Sequence, residues 1–444
     1  MDDERVGTSD LERLPEESVD RLTRPFKRFL RIEATGGAFL LAFTIAALVL
    51  SNSRWSSLFM TVWDIPIGIH IGTWESTRSL KGWINDGLMT FFFFLVAVEL
   101  KRGLVLGELK SPRVAALSIA AALGGMIIPA GLYLALQSGL PGEAGWGTVM
   151  ATDTAFVIGC LALLGRRIPQ SLRTFMLALA IVDDIGAVLV VALGYSGAID
   201  GNALIIAGAG IAAVRVLAWG GVRNVAIYLL VGSFIWAAVD ASGIHATVTG
   251  VILGLLTPAR RWVSDLRLYA ILNQVIAHSS AMEGSGDTKD RKTLHTAEVA
   301  ARETLSPAER LQMVFHPWVS FVVMPLFALA NAGLPLFAGE GDLSLTMAII
   351  IGFTLGKPIG VLSFSWIAVR LGIAAIPPGL GWPLLAAGSL LAGIGFTMAL
   401  FIANLAFDRT LLDQAKLGIL AASVLSAAGG LACLTWVTRA KHVS

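Results

Sequence analysis

The chain has 444 residues, of which 55% are hydrophobic and only 14% charged, a balance far from that of a soluble globular domain. Its formal net charge of +2 marks no nucleic-acid surface, so the placement of charge matters more than its sum. The composition is that of an integral membrane protein.

In chain order, residues 1–34 form a polar segment of mixed charge without a short apolar core of its own, so no cleavable signal peptide is expected. Apolar stretches long enough to cross a ~30 Å hydrocarbon layer as helix then follow. They lie near 35–52, 84–100, 114–136, 147–165, 172–195, 202–219, 224–239 and 242–257, and after a long interval near 317–338, 344–369, 382–407 and 412–437. The fold class expected is therefore an all-α polytopic membrane protein with twelve transmembrane helices.

Lys and Arg cluster on alternate connections. Arg21, Arg24, Lys27, Arg28 and Arg31 precede span 1; Lys101, Arg102, Lys110 and Arg113 follow span 2; Arg166, Arg167 and Arg173 follow span 4. Arg223, the group Arg260, Arg261 and Arg267, Arg370, and finally Arg439 and Lys441 keep the same parity. The other connections carry only Arg54, Arg78, Lys81, Arg409 and Lys416. The positive-inside rule then puts both termini in the cytoplasm.

The expected organisation is a cytoplasmic segment at 1–34, spans 1 to 8 over 35–257, a cytoplasmic loop at 258–315, spans 9 to 12 over 316–438 and a tail at 439–444. Within the first block, the connection 53–83 contains "WDIPIGIHIGTW", where Ile65, Ile67, Ile69 and Ile71 recur with period two. That pattern suggests an outer β-hairpin whose exposed edge could pair with a second copy of the chain. The loop 258–315 has a polar middle, "EGSGDTKDRKT", to which the sequence assigns no structure. Cys160 and Cys433 each fall inside a span and read as small packing residues.

The acids inside the spans carry the functional signal. "LALAIVDDIGAVLVVAL" places Asp183 and Asp184 at the centre of span 5, and each acid at the middle of a membrane helix costs roughly 2.5 to 3.5 kcal/mol. Asp153 lies in "VMATDTAFVIG" of span 4 and Lys357 in "IGFTLGKPIGVLSF" of span 10. Adjacent helical positions point about 100° apart, so the two aspartates cannot share one partner squarely. Lys357 is the natural counter-charge for Asp183, which leaves Asp184 as principal ligand of a small hard cation, with hydroxyl, carbonyl or water oxygens completing the shell. Two ionised carboxylates side by side in a desolvated site repel each other, so protons and a metal cation compete for the same oxygens. Such competition is the elementary step of an antiporter.

Spans 4 and 11 are both interrupted by small and polar residues, "VMATDTAFVIG" and "AGIGFTMALF". Interruptions at matching places in two triplets, spans 3 to 5 and 10 to 12, point to inverted repeats built around discontinuous helices. Their half-helix ends leave unpaired N–H and C=O groups, which Asp153 and Lys357 are placed to offset, with the Thr152 hydroxyl beside them. Elsewhere, His245 reads as a packed, hydrogen-bonded residue, and Asp86, Glu99, Lys101 and Arg102 as solvated ends of span 2.

With "TDTAF", "LALAIVDDIGAV", "SGIHAT", "HPWV", "FALANAG", "GKPIG" and "GIGFTM…FIANLAF" in this order, together with "TGGAFLL", "INDGLM", "VELKR" and "GGMIIPA", the chain resembles the NhaA family of sodium/proton antiporters. The resemblance implies twelve helices with inverted repeats, spans 4 and 11 crossing as discontinuous helices, and a cytoplasmic funnel ending at Asp183 and Asp184. It makes those two residues the ion and proton site, puts Thr152 and Asp153 at the crossing with Thr152 beside the transported Na⁺, and makes Lys357 the buried cation. It further implies electrogenic exchange of two protons per sodium or lithium ion without a cofactor, a homodimer formed partly through the outer hairpin, and residence in the inner membrane of a bacterium.

Glu99 and Arg102, at the funnel mouth, would take part in pH activation. The chain departs from the family pattern there, with Gly103 where an acid is common and "SPAERLQMVFHPWV", holding Glu309, Gln312 and Met313, where Glu and His are common. A shifted or weaker pH response is the expectation. Two other readings share part of this signal. A proton-coupled carrier of another small solute shares the buried acids. An intramembrane aspartyl protease is suggested only by "GEGD" at 339–342, in a polar loop, and "GFTLGKP" lacks the spacing of a nucleotide-binding loop.

Overall fold

A computed structural model of the chain describes residues 33–71, 74–105, 111–222, 225–259, 262–279, 288–335 and 343–443. The N-terminal segment up to residue 32 and the "GEGD" motif lie outside the described residues. The chain is mostly helical. It opens with α1 (Glu33–Ser51), which turns through 119° into the short α2 (Ser56–Trp63). Strands β1 (Pro66–Ile71) and β2 (Trp74–Ser79) then pair antiparallel, with Ile67 opposite Arg78 and Ile69 opposite Ser76, so the period-two run does form a hairpin.

A wide helical turn at Trp83–Leu88 leads into α3 (Met89–Val105), and α4 (Pro112–Gln137) starts on a proline, whose missing N–H has no helical partner to lose at that position. A tight turn at Glu143–Met150 is separated from α5 (Thr154–Leu163) by three extended residues, 151–153. Then come α6 (Gln170–Gly194), α7 (Gly201–Trp219), α8 (Val225–Ala241) and α9 (Val248–Leu256).

The second part runs through α10 (Asp265–Ser279), α11 (Thr288–Glu303), α12 (Pro307–Trp318), α13 (Met324–Asn331), α14 (Leu343–Ile351), α15 (Lys357–Arg370), α16 (Trp382–Leu391), α17 (Phe396–Ala406) and α18 (Arg409–Val443). Wide turns join α12 to α13 and α14 to α15. Each stands just ahead of a proline, Pro325 or Pro358, that withholds an N–H from the ladder.

Seven helices among the described residues are long and apolar enough to cross a membrane, or nine if the bent pairs α1/α2 and α16/α17 each count as one span. Spans 7 and 8 of the sequence fall on α8 and on the nine-residue α9, and span 2 on α3, whose last turn is charged. Length and composition of the observed helices thus give fewer spans than the twelve apolar stretches of the sequence. Along the perimeter Ile205, Leu230 and Trp436 are each more than 70% exposed, as suits side chains facing lipid rather than water.

The long connection departs most from expectation. Where the sequence leaves structure unassigned, 258–315 holds α10 and α11 packed as a helical hairpin, and α12 begins at Pro307, ahead of the boundary placed at 316; residues 283–287 of the polar middle lie outside the described residues. Ser306 and Glu309 form a reciprocal capping box at that start. Periodicity sought at membrane-span length misses short amphipathic helices of this kind. The tail at 439–444 likewise continues α18 as far as Val443.

Helices α4 and α15 form an extensive contact. Gly124 and Gly360 meet there backbone to backbone, and a Cβ on either would collide with the carbonyl oxygen of the other. Gly125, next along α4, faces the methylenes of Lys357. The small-residue contact therefore decides how far Lys357 reaches into the bundle. Gly360→Ala is expected to destabilise the protein by at least about 1–3 kcal/mol, read as a lowered midpoint of thermal unfolding in detergent. Gly131→Ala in the same α4, where an added methyl meets nothing within 4 Å, is expected to leave the midpoint unchanged or raise it.

Candidate functional site

Two chain interruptions meet in the core. The extended residues 151–153 before α5 lie against residues 392–395 between α16 and α17, where the Asp153 N–H donates to the Ile394 carbonyl at 2.6 Å. Every helix start leaves N–H groups without partners and carries a positive end, and Asp153 serves two such starts. Its Oδ1 accepts from the Phe156 N–H at 3.2 Å, capping α5, and its Oδ2 accepts from the N–H and the hydroxyl of Thr397 in α17, at 2.9 and 2.5 Å. One carboxylate thus ties the two half-helices together.

Thr152 stands beside it. Its hydroxyl accepts from Lys357 Nζ at 2.8 Å and lies 2.7 Å from Asp183 Oδ2 and 2.9 Å from the Ala392 carbonyl. A hydroxyl has one proton to give, so Thr152 donates either to the carboxylate or to the carbonyl just past the end of α16. Lys357 also pairs directly with Asp183 Oδ2, the partner expected from the sequence. The Lys357 head therefore meets the break through Thr152 rather than by bonding the loose carbonyls itself.

Asp184 has a thinner set of partners. Its Oδ2 accepts from the Thr154 hydroxyl at 3.0 Å. Oδ1 of Asp183 and Oδ1 of Asp184 are both buried and accept no hydrogen bond. Asp153, Asp183, Asp184, Thr152 and Lys357 are all fully buried. Three acids thus face one lysine in an apolar interior, and ionised groups there are costly unless matched. The site requires added positive charge, either as protons or as a cation.

No group of three or more His, Cys, Asp and Glu side chains among the described residues could hold a metal ion. Oxygen donors for a transported cation would come from the free Oδ1 atoms together with Thr152 and Thr154, a hard set suited to a hard ion. Sequence reasoning missed Thr154 and Thr397. Their signal was present, since each occupies the first turn of a helix that follows an apolar break, where a hydroxyl is placed to reach a neighbouring carboxylate.

The remaining candidates do not join this network. Glu99 and Arg102, towards the C-terminal end of α3, are bridged by Gln312 of α12, which accepts from Arg102 at 2.7 Å and donates to Glu99 at 3.0 Å. At the other end of α3 Asp86 is only partly solvated and is held in an ion cluster. Arg78 of the hairpin pairs with both Asp86 and Asp240 of α8 and lies over the Trp236 ring, 5.6 Å from its centre. His245 makes a 3.1 Å hydrogen bond with the Tyr195 carbonyl. Cys160 and Cys433 are free thiols, the first buried.

The profile of the family described as Na+/H+ antiporter 1 matches residues 27–434. A protein of Rhizobium meliloti (strain 1021) named Na(+)/H(+) antiporter NhaA is 60% identical over 96% of this chain and 98% of its own length. The Na(+)/H(+) antiporter NhaA 2 of Vibrio vulnificus (strain CMCP6) is 54% identical over 96% of the chain and 95% of its own length. The Na(+)/H(+) antiporter NhaA of Oleidesulfovibrio alaskensis is 42% identical over 96% of both.

The buried pair has a stability consequence independent of what passes through the site. Lys357→Met leaves Asp183 without its counter-charge and is expected to cost about 3–5 kcal/mol. Adding Asp183→Leu should recover most of that loss. Thermal unfolding of the single and double variants in one detergent checks the cycle, and equal destabilisation of both would show that the pairing is not what Lys357 supplies.

Proposed function

The chain belongs to the Na+/H+ antiporter 1 family, and from that premise we propose that it exchanges cytoplasmic Na⁺ or Li⁺ for external protons electrogenically, by alternating access. It is a secondary transporter, not an enzyme, and a multi-pass membrane protein. The observation that carries the mechanism is the imbalance of charge: Asp153, Asp183 and Asp184 against Lys357, all sealed from water.

Each residue has a distinct role in this reading. Asp184, held by a single hydroxyl and with one oxygen free, is the principal cation ligand and a proton carrier. Asp183 is the second, its charge shared with Lys357 and Thr152. An arriving Na⁺ takes carboxylate, Thr152 and Thr154 oxygens and expels protons, because the desolvated site cannot hold both sets of positive charge. When protons return, the cation loses its ligands and leaves. Loaded either way, the site is close to neutral, and this is the state in which an apolar interior lets the broken helices shift. Asp153 keeps its charge on the two helix starts and acts as a fixed fastener, not a carrier.

The wider arrangement follows the same reading: twelve spans as inverted repeats crossing at 151–153 and 392–395, both termini cytoplasmic, the inner membrane of a bacterium, and a homodimer assembled partly through β1 and β2. The Glu99–Gln312–Arg102 bridge belongs to the pH response. Gln312 binds both charges without titrating, which supports a response weaker than that of relatives with an ionisable residue there.

Everted vesicles carrying an imposed pH gradient test the proposal. Sodium or lithium is expected to dequench an acridine dye across pH 6 to 9, and absence of that signal would refute antiport. Asp184→Asn is expected to abolish exchange. Thr154→Val removes one hydroxyl and should raise the half-saturating sodium concentration roughly fivefold, the worth of about 1 kcal/mol, with the maximal rate retained. Lys357→Gln should change the voltage dependence of any exchange that survives.

A further inference from the structure

The helical hairpin α10–α11 has two unlike outer faces. On α10, Leu268, Ile271 and Val275 are half-buried, at spacings that share one side of a helix, and α10 packs against α11, where Ala297 and Ala300 are buried. The opposite side of α10 bears Leu266, 84% exposed, and Tyr269, 67% exposed, with Trp262 exposed just ahead of the helix. The exposed positions of α11 are instead mostly polar: Lys292, His295, Thr296, Glu298 and Arg302, interrupted by Leu294 and Val299.

The base of the hairpin is fixed between the end of α9 and the start of the membrane-length helix at Pro307. The Ala308 N–H bonds the Pro258 carbonyl at 3.2 Å and the Val263 N–H bonds the Glu303 carbonyl at 3.3 Å. Residue 258 lies two positions beyond α9, and the membrane-length helix that contains α12 starts at Pro307. Neither strand of the base has the length to carry α10 far from the bilayer surface. Leu266, Tyr269 and Trp262 are also the residue types that settle at a membrane interface, where an aromatic ring meets apolar chains on one side and headgroups on the other. Arg267 is exposed next to them, and Arg260 and Arg261 precede them in the sequence, a basic accompaniment that anionic headgroups complement.

We propose that the outer face of α10 is a membrane-docking surface: the helix lies in the interface of the same bilayer that the bundle spans, with α11 covering it on the water side. Glu303 at the end of α11 pairs with Arg310 of α12 at 3.0 Å, and Gln312, two residues on, holds Glu99 and Arg102. The docked hairpin thereby steadies the start of α12 and the charged bridge beside it. Nothing in this depends on the chemistry of the buried acids.

Spin labels on cysteine substitutions test the placement, in a background with Cys160→Ala and Cys433→Ala, on the full chain reconstituted into vesicles of phosphatidylethanolamine and phosphatidylglycerol. Labels at Leu266→Cys, Tyr269→Cys and Asn273→Cys should be several-fold more accessible to molecular oxygen, relative to a water-soluble nickel chelate, than a label at Thr296→Cys on α11. Asn273 is exposed on the same side as Leu266 and Tyr269 and removes no apolar group, so it reports even if the other two substitutions disturb the hairpin. Equal chelate access at 273 and 296 would place α10 in water and overturn the proposal. Low access to both reagents at 273 would show the face covered by protein, a second copy or another partner, and would overturn it equally.

Discussion

An apolar interior does not hold unmatched charge, and the rest of this molecule is arranged around that constraint. Asp153, Asp183 and Asp184 are sealed from water with one lysine among them. A structural ion pair would need one acid; a polar network fixing helix packing would use hydroxyls or amides at lower cost. Three acids and one lysine make a site whose stable states are those that have collected positive charge from outside. In the exchange proposed above, transport follows from solvation energy: whichever cation is available would neutralise the site, and the neutral site is the one that would be exposed to either side.

The fold meets this demand by interrupting two helices where continuous ones would have satisfied their own backbones. Each interruption creates a positive helix start in the bilayer, and Asp153 answers both at once through Phe156 and Thr397. The same breaks place Thr152 in extended chain, where its hydroxyl faces Lys357, Asp183 and Ala392 together. On the far side, the approach of α4 and α15 through Gly124 and Gly360 brings the Lys357 stem close enough for its ammonium to arrive. Backbone irregularity and small-residue packing are therefore preconditions of the electrostatics.

How much of this was legible in the sequence follows from what each feature costs. Acids and a lysine inside apolar runs are so unfavourable that their presence alone singles out Asp183, Asp184, Asp153 and Lys357 as candidates, and the pairing of Lys357 with Asp183, which the structure shows, follows because one deep cation is available. Thr154 and Thr397 escaped notice because a threonine in a membrane helix costs little and usually bonds its own backbone, as Thr44 does with the Leu40 carbonyl. The hairpin α10–α11 was hidden by its polarity: neither helix has a span-length apolar run, and their half-buried faces show only once they are packed. The span count stands differently, because length and composition of the described helices give seven to nine candidates where the sequence offers twelve apolar stretches. The apolar run near 242–257 corresponds to a helix of only nine residues, and the run near 224–239 to one of seventeen.

Asp86 sharpens the lesson, because its setting resembles the central site in composition and differs in burial. Arg78, Asp86 and Asp240 also set two acids against one cation, but their side chains are 20 to 29% exposed, and water supplies what the cluster lacks. Screening there makes the imbalance cheap, so no exchange of ions is forced, and the group is free to act as a clasp between the hairpin, α3 and α8. Counting charges along a helix does not distinguish the two clusters. The decisive variable is whether solvent can complete the shell, and it cannot at Asp183 and Asp184, both fully buried, which is why the proposed exchange is placed there.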